Sequence, residues 1–134
     1  MANTKTLATI VSGREVTQYL TLAYVDSQET DYIIYDSSAV AAVLGITDPL
    51  DSTIVEIRAM VNSAVTARLF LEWDATTDVL ALTIPPNLDI HQNFRKHGGL
   101  PSQAGAGKTG DIQLTTTGLG AGDTITLILV VRMN

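Results

Sequence analysis

The stretch "PSQAGAGKTGDIQLTTTG", residues Pro101 to Gly118, decides the fold. Its centre, Gly107-Lys108-Thr109, spells the end of a phosphate-binding loop, with Gly105 just ahead of it. That motif requires a glycine, four residues, then Gly-Lys-Ser/Thr. Counting back from Gly107, the first glycine belongs at position 102, where Ser102 stands. A phosphate loop also follows a buried strand and opens a helix, so that its amides and the helix N-terminus face the anion. Here Asp111 to Thr117 alternates apolar and polar, is rich in threonine and stops at Gly118, which is the pattern of a strand. Upstream, Asn93-Phe94-Arg95-Lys96-His97-Gly98-Gly99 is no buried apolar strand. The stretch therefore reads as a loop entering a strand, and nucleotide binding is not expected.

Outward from it, the same period of two recurs. In Asp123 to Arg132, Ile125, Leu127, Leu129 and Val131 share one face. Thr124, Thr126 and Arg132 lie opposite, but so do Ile128 and Val130. A strand apolar on both faces is expected at the centre of a sheet, covered on both sides or meeting a partner subunit. Lys5 to Ser12 and Arg14 to Val25 read as two strands divided at Gly13, and Tyr32 to Tyr35 as a short one. Asp26 to Thr30 has turn chemistry. In Thr53 to Ser63, Val55, Ile57, Ala59 and Val61 share a face opposite Glu56, Arg58 and Asn62. Thr66 to Trp73 and Asp78 to Ile84 form a hairpin across Asp74-Ala75-Thr76-Thr77, and Pro85-Pro86 stops the second strand. The segment from Asn87 to Gly110 is expected to be a long loop holding one brief strand near Phe94.

One segment breaks the pattern. Asp36-Ser37-Ser38-Ala39-Val40-Ala41-Ala42-Val43-Leu44-Gly45 offers an N-cap at Asp36 or Ser37, alanines, and a terminating glycine, so a short helix is expected. About eight short strands with one short helix predict a single all-β domain over residues 1–134, a β-sandwich or jelly-roll with a short N-terminal arm.

Of the 134 residues, 46% are apolar and only 16% charged, well below the usual quarter. The surface must then be covered by neutral hydroxyl and amide groups, which suits a protein that buries itself against neighbours. The net charge of −6 disfavours nucleic acid, which needs a positive footprint. Arg95-Lys96-His97, the one basic run, is too short to reverse that. With no cysteine, thiolate metal sites, disulfides and a cysteine nucleophile are excluded. The first residues lack the basic-then-apolar pattern of a signal peptide, and no apolar stretch approaches the ~18 residues of a membrane span.

Candidate sites are sparse. His91, His97 and Asp89 lack a third fixed ligand for zinc and read as polar loop residues. Asp74 and Asp78 bracket a turn with two carboxylates where calcium takes more, so no metal is expected. No serine sits in a Gly-x-Ser-x-Gly elbow, and the other aspartates (Asp26, Asp31, Asp48, Asp51) fall in turns. Trp73 shares a face with Leu69 and Leu71 and is expected in the core rather than on a sugar. Neither catalytic residues nor a cofactor are expected.

The ordered series Leu71-Glu72-Trp73-Asp74-Ala75-Thr76-Thr77, Asn93 to Pro101, Ala106 to Thr116 and Ala121-Gly122-Asp123-Thr124-Ile125-Thr126-Leu127 resembles small virion structural proteins of tailed bacteriophages. These begin with a similar Met-Ala-Asn-Thr and are encoded among head genes. The resemblance covers mainly residues 68–134 and leaves 26–52 unplaced. It implies a capsid decoration or cement protein on the surface of a virion assembled in the host cytoplasm, with the major capsid protein as partner and no enzyme activity. Expected capsid contacts, from exposure and charge, are the arm (Ala2, Asn3, Thr4) and the loop carrying Phe94, Arg95 and Lys96. Ile128 and Val130 are expected at a contact between copies, in a homo-oligomer taken as a trimer because head lattices offer three-fold positions. The alternative is a carbohydrate- or receptor-binding β-sandwich of a tail or fibre.

Overall fold

The computed structural model describes residues 3–25, 28–45, 52–63, 67–87 and 89–133, with only the backbone of Leu44 and Met133. Ala2, Asp26, Ser27, Asp48, Asp51 and Thr66 lie outside the described residues. Two antiparallel sheets pack face to face. The larger has the order β1 (Thr4–Ser12), β2 (Glu15–Ala23), β10 (Thr124–Met133), β4 (Ser52–Asn62), β7 (Asp89–Asn93), with β8 (Leu100–Pro101) also paired to β4. The smaller has the order β3 (Tyr32–Tyr35), β9 (Ile112–Thr117), β5 (Arg68–Trp73), β6 (Val79–Ile84). This is the all-β sandwich that the alternation predicts, with β10 at the centre of the larger sheet.

The core is the set of inward positions of both sheets. Leu20 and Leu22 of β2, Ile57 and Val61 of β4, and Leu127 and Leu129 of β10 meet Leu69, Leu71 and Trp73 of β5 and Ile112 and Leu114 of β9. Trp73 is 1% exposed. Helix α1 (Ser37–Leu44) adds Val40 and Ala41 to this core. Its ends follow from the sequence. Asp36 accepts the Ala39 amide as N-cap, and Gly45 takes φ 74° so that its own amide reaches the Ala41 carbonyl.

Three expectations are corrected. The 87–110 segment contains two brief strands, β7 and β8, joined through a 3-10 turn at Arg95–His97. They are short because each is added to one edge of β4, and such pairing leaves little trace in alternation. Second, β4 does not alternate throughout. Its register against β10 shifts between Val130 and Val131, so Ile54 faces Val131 while Glu56 faces Val130. That bulge leaves Val55 as the extra residue, outside the central cluster yet fully buried, rather than in line with Ile57. Gly99, at φ 92°, lies so close that a Cβ there would collide with Thr53 Cγ2 and come within 3.4 Å of Val55 Cγ1.

Third, Asn3 and Thr4 are not a free arm. Asn3 is 8% exposed, donating to Glu29 Oε2 at 2.6 Å and accepting the Val25 amide at 2.8 Å. Thr4 opens β1, paired with Ala23.

Candidate interaction surface

The alternation that fills the core leaves every second residue of the larger sheet pointing outward, and register lines these residues up in rows. One row runs Ala8, Tyr19, Ile128, Arg58, His91 across β1, β2, β10, β4 and β7. The next runs Ile10, Thr17, Val130, Glu56, Asn93. A third runs Thr6, Thr21, Thr126, Met60, Asp89. Ile128 and Val130 thus sit at the middle of the face, half-buried by their neighbours. Around them Ile10, Tyr19 and Met60 are 60%, 41% and 46% exposed. A shallow cavity of about 270 Å³, lined by Arg58, Met60, Asp89, Thr126 and Ile128, opens onto this face.

The charges collect on one side and satisfy one another. Arg58 Nη2 lies 3.3 Å from Asp89 Oδ2, and His91 Nε2 lies 3.0 Å from Glu56 Oε2. Arg95 donates to both Glu15 oxygens at 2.6 and 3.0 Å, and its Nε lies 3.8 Å from Glu56. This fork of donors holds the Glu15 carboxyl below its ordinary range, more by hydrogen bonding than by the charges of Arg95 and Arg132. Arg132 donates to the Gly98 carbonyl at 2.9 Å, tying the 3-10 turn to the end of β10.

The residues expected at capsid contacts therefore divide. Arg95 and Lys96 are exposed on the turn. Phe94 instead is partly buried against the core, lining a surface cavity together with Ile57, Ile84 and Ile90, and its amide donates to the Val55 carbonyl at 2.9 Å. It anchors the turn from beneath. Sequence reasoning passed over Glu15, Glu56, Arg58 and Tyr19. Their only signal is the outward parity of their positions, which they share with every solvated residue of the sheet.

The glycine-rich loop is also explained. The Lys108 amide donates to Gly105 O, that of Thr109 to Asp74 O at 3.3 Å, and that of Asp111 to Thr109 Oγ1 at 3.2 Å. A phosphate loop would aim such amides at its ligand. Gly107, at φ 77°, passes so close to Thr76 that any Cβ would collide with it. Ser37, fully buried, donates through its hydroxyl to Thr109 O at 2.7 Å and through its amide to Asp111 Oδ1 at 2.8 Å. The stretch is a clasp joining the β5–β6 turn, the start of α1 and the entry to β9. Burial raises the Asp111 carboxyl above its ordinary range against the two Ser37 hydrogen bonds, with Asp36 and Asp74 adding repulsion. Beside it, Tyr35 is fully buried, its hydroxyl without a partner among the described residues, and burial followed by the Asp111 and Asp36 charges raises its ionisation far above normal.

Among the described residues His91, His97 and Asp89 form no metal-binding group, since Asp89 faces Arg58 and His91 faces Glu56. No known protein family, curated protein or solved structure matches this chain.

Proposed function

We propose that this protein is a bacteriophage virion structural protein of the decoration or cement type, which docks on the head lattice and stabilises it through non-covalent contacts. The observation that carries the contact between copies, and through the oligomer the docking, is the outward face of the larger sheet, where an apolar centre (Tyr19, Ile128, Val130, Met60) is rimmed by ion pairs. Protein interfaces share this anatomy of an apolar middle within a polar rim. The assignment to a virion rests on the resemblance of the segments between residues 68 and 134. The two join physically, because the Arg95–His97 turn and β10 both lie within those segments and both build this face.

A sheet face exposes side chains without mobile loops, so little ordering entropy opposes docking. Charges already neutralised within the rim cost less to desolvate than free ones. Individually weak contacts become firm when a closed oligomer engages several lattice positions together. Copies of the chain meet through Ile128 and Val130 in this reading, and Arg95 and Lys96 are left to face the major capsid protein.

The deciding experiment is co-sedimentation of the purified protein with heads assembled without it, alongside static light scattering of the free protein. Saturable binding at a fixed ratio to capsid protein, by a trimer, is the expected result. No co-sedimentation overturns the cement role, and a stable monomer at micromolar concentration overturns the trimer.

A further inference from the structure

The outward face of the smaller sheet brings together three carboxylates that are far apart in the sequence. Asp31 precedes β3, Glu72 lies within β5 and Asp78 immediately precedes β6, and each places an oxygen within 4.8 Å of the others. Oxygens bonded to one calcium ion at about 2.4 Å can be at most about 4.8 Å apart, so the spread fits a single ion. The ion pairs formed among the described residues do not involve any of the three.

A second feature points the same way. Gln113 stands directly across the β9–β5 pair from Glu72, on the same outward face. It is only 7% exposed, and its Oε1 is buried with no donor among the described residues. A cross-strand pair sets two Cβ atoms about 5 Å apart, which puts this amide within reach of the Glu72 carboxylate. A buried carbonyl oxygen lacking a donor costs about 1–3 kcal/mol, and a carbonyl beside carboxylates gains nothing from them. A hard cation would satisfy all four oxygens together. Thr115 completes the donor set, since its hydroxyl lies 2.8 Å from Glu72 Oε1 and 3.5 Å from Asp31 Oδ1.

We propose that Asp31, Glu72 and Asp78, with the Gln113 carbonyl, form a calcium site that cross-links β3, β5, β6 and β9 on the face opposite the docking surface. All-oxygen ligation from carboxylates, an amide and a hydroxyl, without histidine, is the chemistry calcium selects. Calcium suits it better than magnesium, whose oxygens must crowd to about 2.1 Å in a strict octahedron. The partial exposure of the cluster leaves room for water to fill the remaining positions.

The test is calorimetric titration of the whole protein with calcium chloride, together with thermal melts in calcium, in magnesium and in EDTA. One ion should bind per chain with Kd on the order of 0.1–1 mM, as in exposed modules without a rigid loop. Calcium well above Kd should raise Tm by roughly 5–10 °C. Glu72→Gln should weaken binding at least about tenfold, since affinity follows the count of charged ligands. In EDTA it should melt no lower than the parent, because it relieves repulsion. Gln113→Leu should likewise weaken calcium binding without lowering the calcium-free Tm. Absence of binding heat and of any calcium-dependent melt overturns the site, as does unchanged affinity in Glu72→Gln. A magnesium response equal to that of calcium overturns the choice of ion.

Discussion

The outward face of the larger sheet carries Glu15, Glu56 and Asp89, and each lies beside a cation or an imidazole: Arg95 with Glu15, His91 with Glu56, Arg58 with Asp89. The outward face of the smaller sheet carries Asp31, Glu72 and Asp78, where Glu72 accepts from the Thr115 hydroxyl and Asp78 accepts the Ala75 amide. Both faces alternate in the same way, so the strands do not make this difference. It comes from what the connections deliver. The β7–β8 connection lays Arg95 over the ends of β2 and β4, while the β5–β6 turn and the approach to β3 bring only further acids. One face becomes a neutralised rim around apolar residues, suited to protein. The other gathers three carboxylates at one point, suited to a small cation.

The largest expected effect separates the faces directly. Ile128→Lys puts a charge at the middle of the larger face and should abolish self-association and head binding, a loss of several kcal/mol in association on the order expected for burying an unpaired charge. Leu80→Lys, at a position 54% exposed on the smaller sheet's outward face, should leave both intact. Equal loss in light scattering and co-sedimentation from the two variants would erase the distinction.

Next comes the core that both faces share. Trp73 packs on the inner side of β5, directly beneath Glu72's strand, and Trp73→Ala should cost about 3–5 kcal/mol in urea denaturation. Native Trp73 emission should be blue-shifted and move red on unfolding. Water-like emission before denaturation would contradict its 1% exposure.

Tyr35 yields a smaller, pH-dependent effect. In the unfolded chain its phenol ionises near pH 10, whereas burial raises its ionisation well above that in the folded protein. The folded state therefore holds the proton where the unfolded state has lost it, and stability falls as pH rises past about 10. Tyr35→Phe removes a buried hydroxyl without a partner among the described residues and should stabilise by about 1 kcal/mol at neutral pH. Its advantage in melting temperature should widen above pH ~10; a constant gap would show that Tyr35 does not titrate as argued.

The smallest effect belongs to the rim. Arg95→Ala should cost no more than about 1 kcal/mol, because the pair with Glu15 is exposed and screened. The Glu15 carboxyl is held below its unfolded value, so this contribution is present above that value and disappears as pH falls through the folded one. Melting curves of parent and variant should converge in acid and in high salt, while head binding, which needs the turn's charge, should weaken at neutral pH.

Local physics made much of this molecule legible in its residues. Asp36 and Gly45 mark the ends of α1 because an N-cap carboxylate and a left-handed glycine act within one turn of chain. The period of two in β2, β5, β9 and β10 follows from the pleat, and it sorts Trp73 inward and Ile128 outward without reference to any other strand. The alternation after Asp111 marks a strand rather than a helix, and β9 forms there because the pleat imposes that period locally. Only the tertiary structure decides which strands become neighbours. The bulge at Val55 lies where β4 is paired with β10 on one edge and joined to the 93–101 connection on the other. Arg95 meets Glu15 from 80 positions away, and Asn3 is held by Glu29 rather than left as an arm. Asp74 and Asp78 look like a turn with too few carboxylates until the fold carries Asp31 to Asp78 and sets Glu72 between them. Pairing between distant segments depends on backbone hydrogen bonds that every residue type offers alike, so the sequence carries almost no mark of it, and the sites built from such pairing are visible only once the sheets have formed.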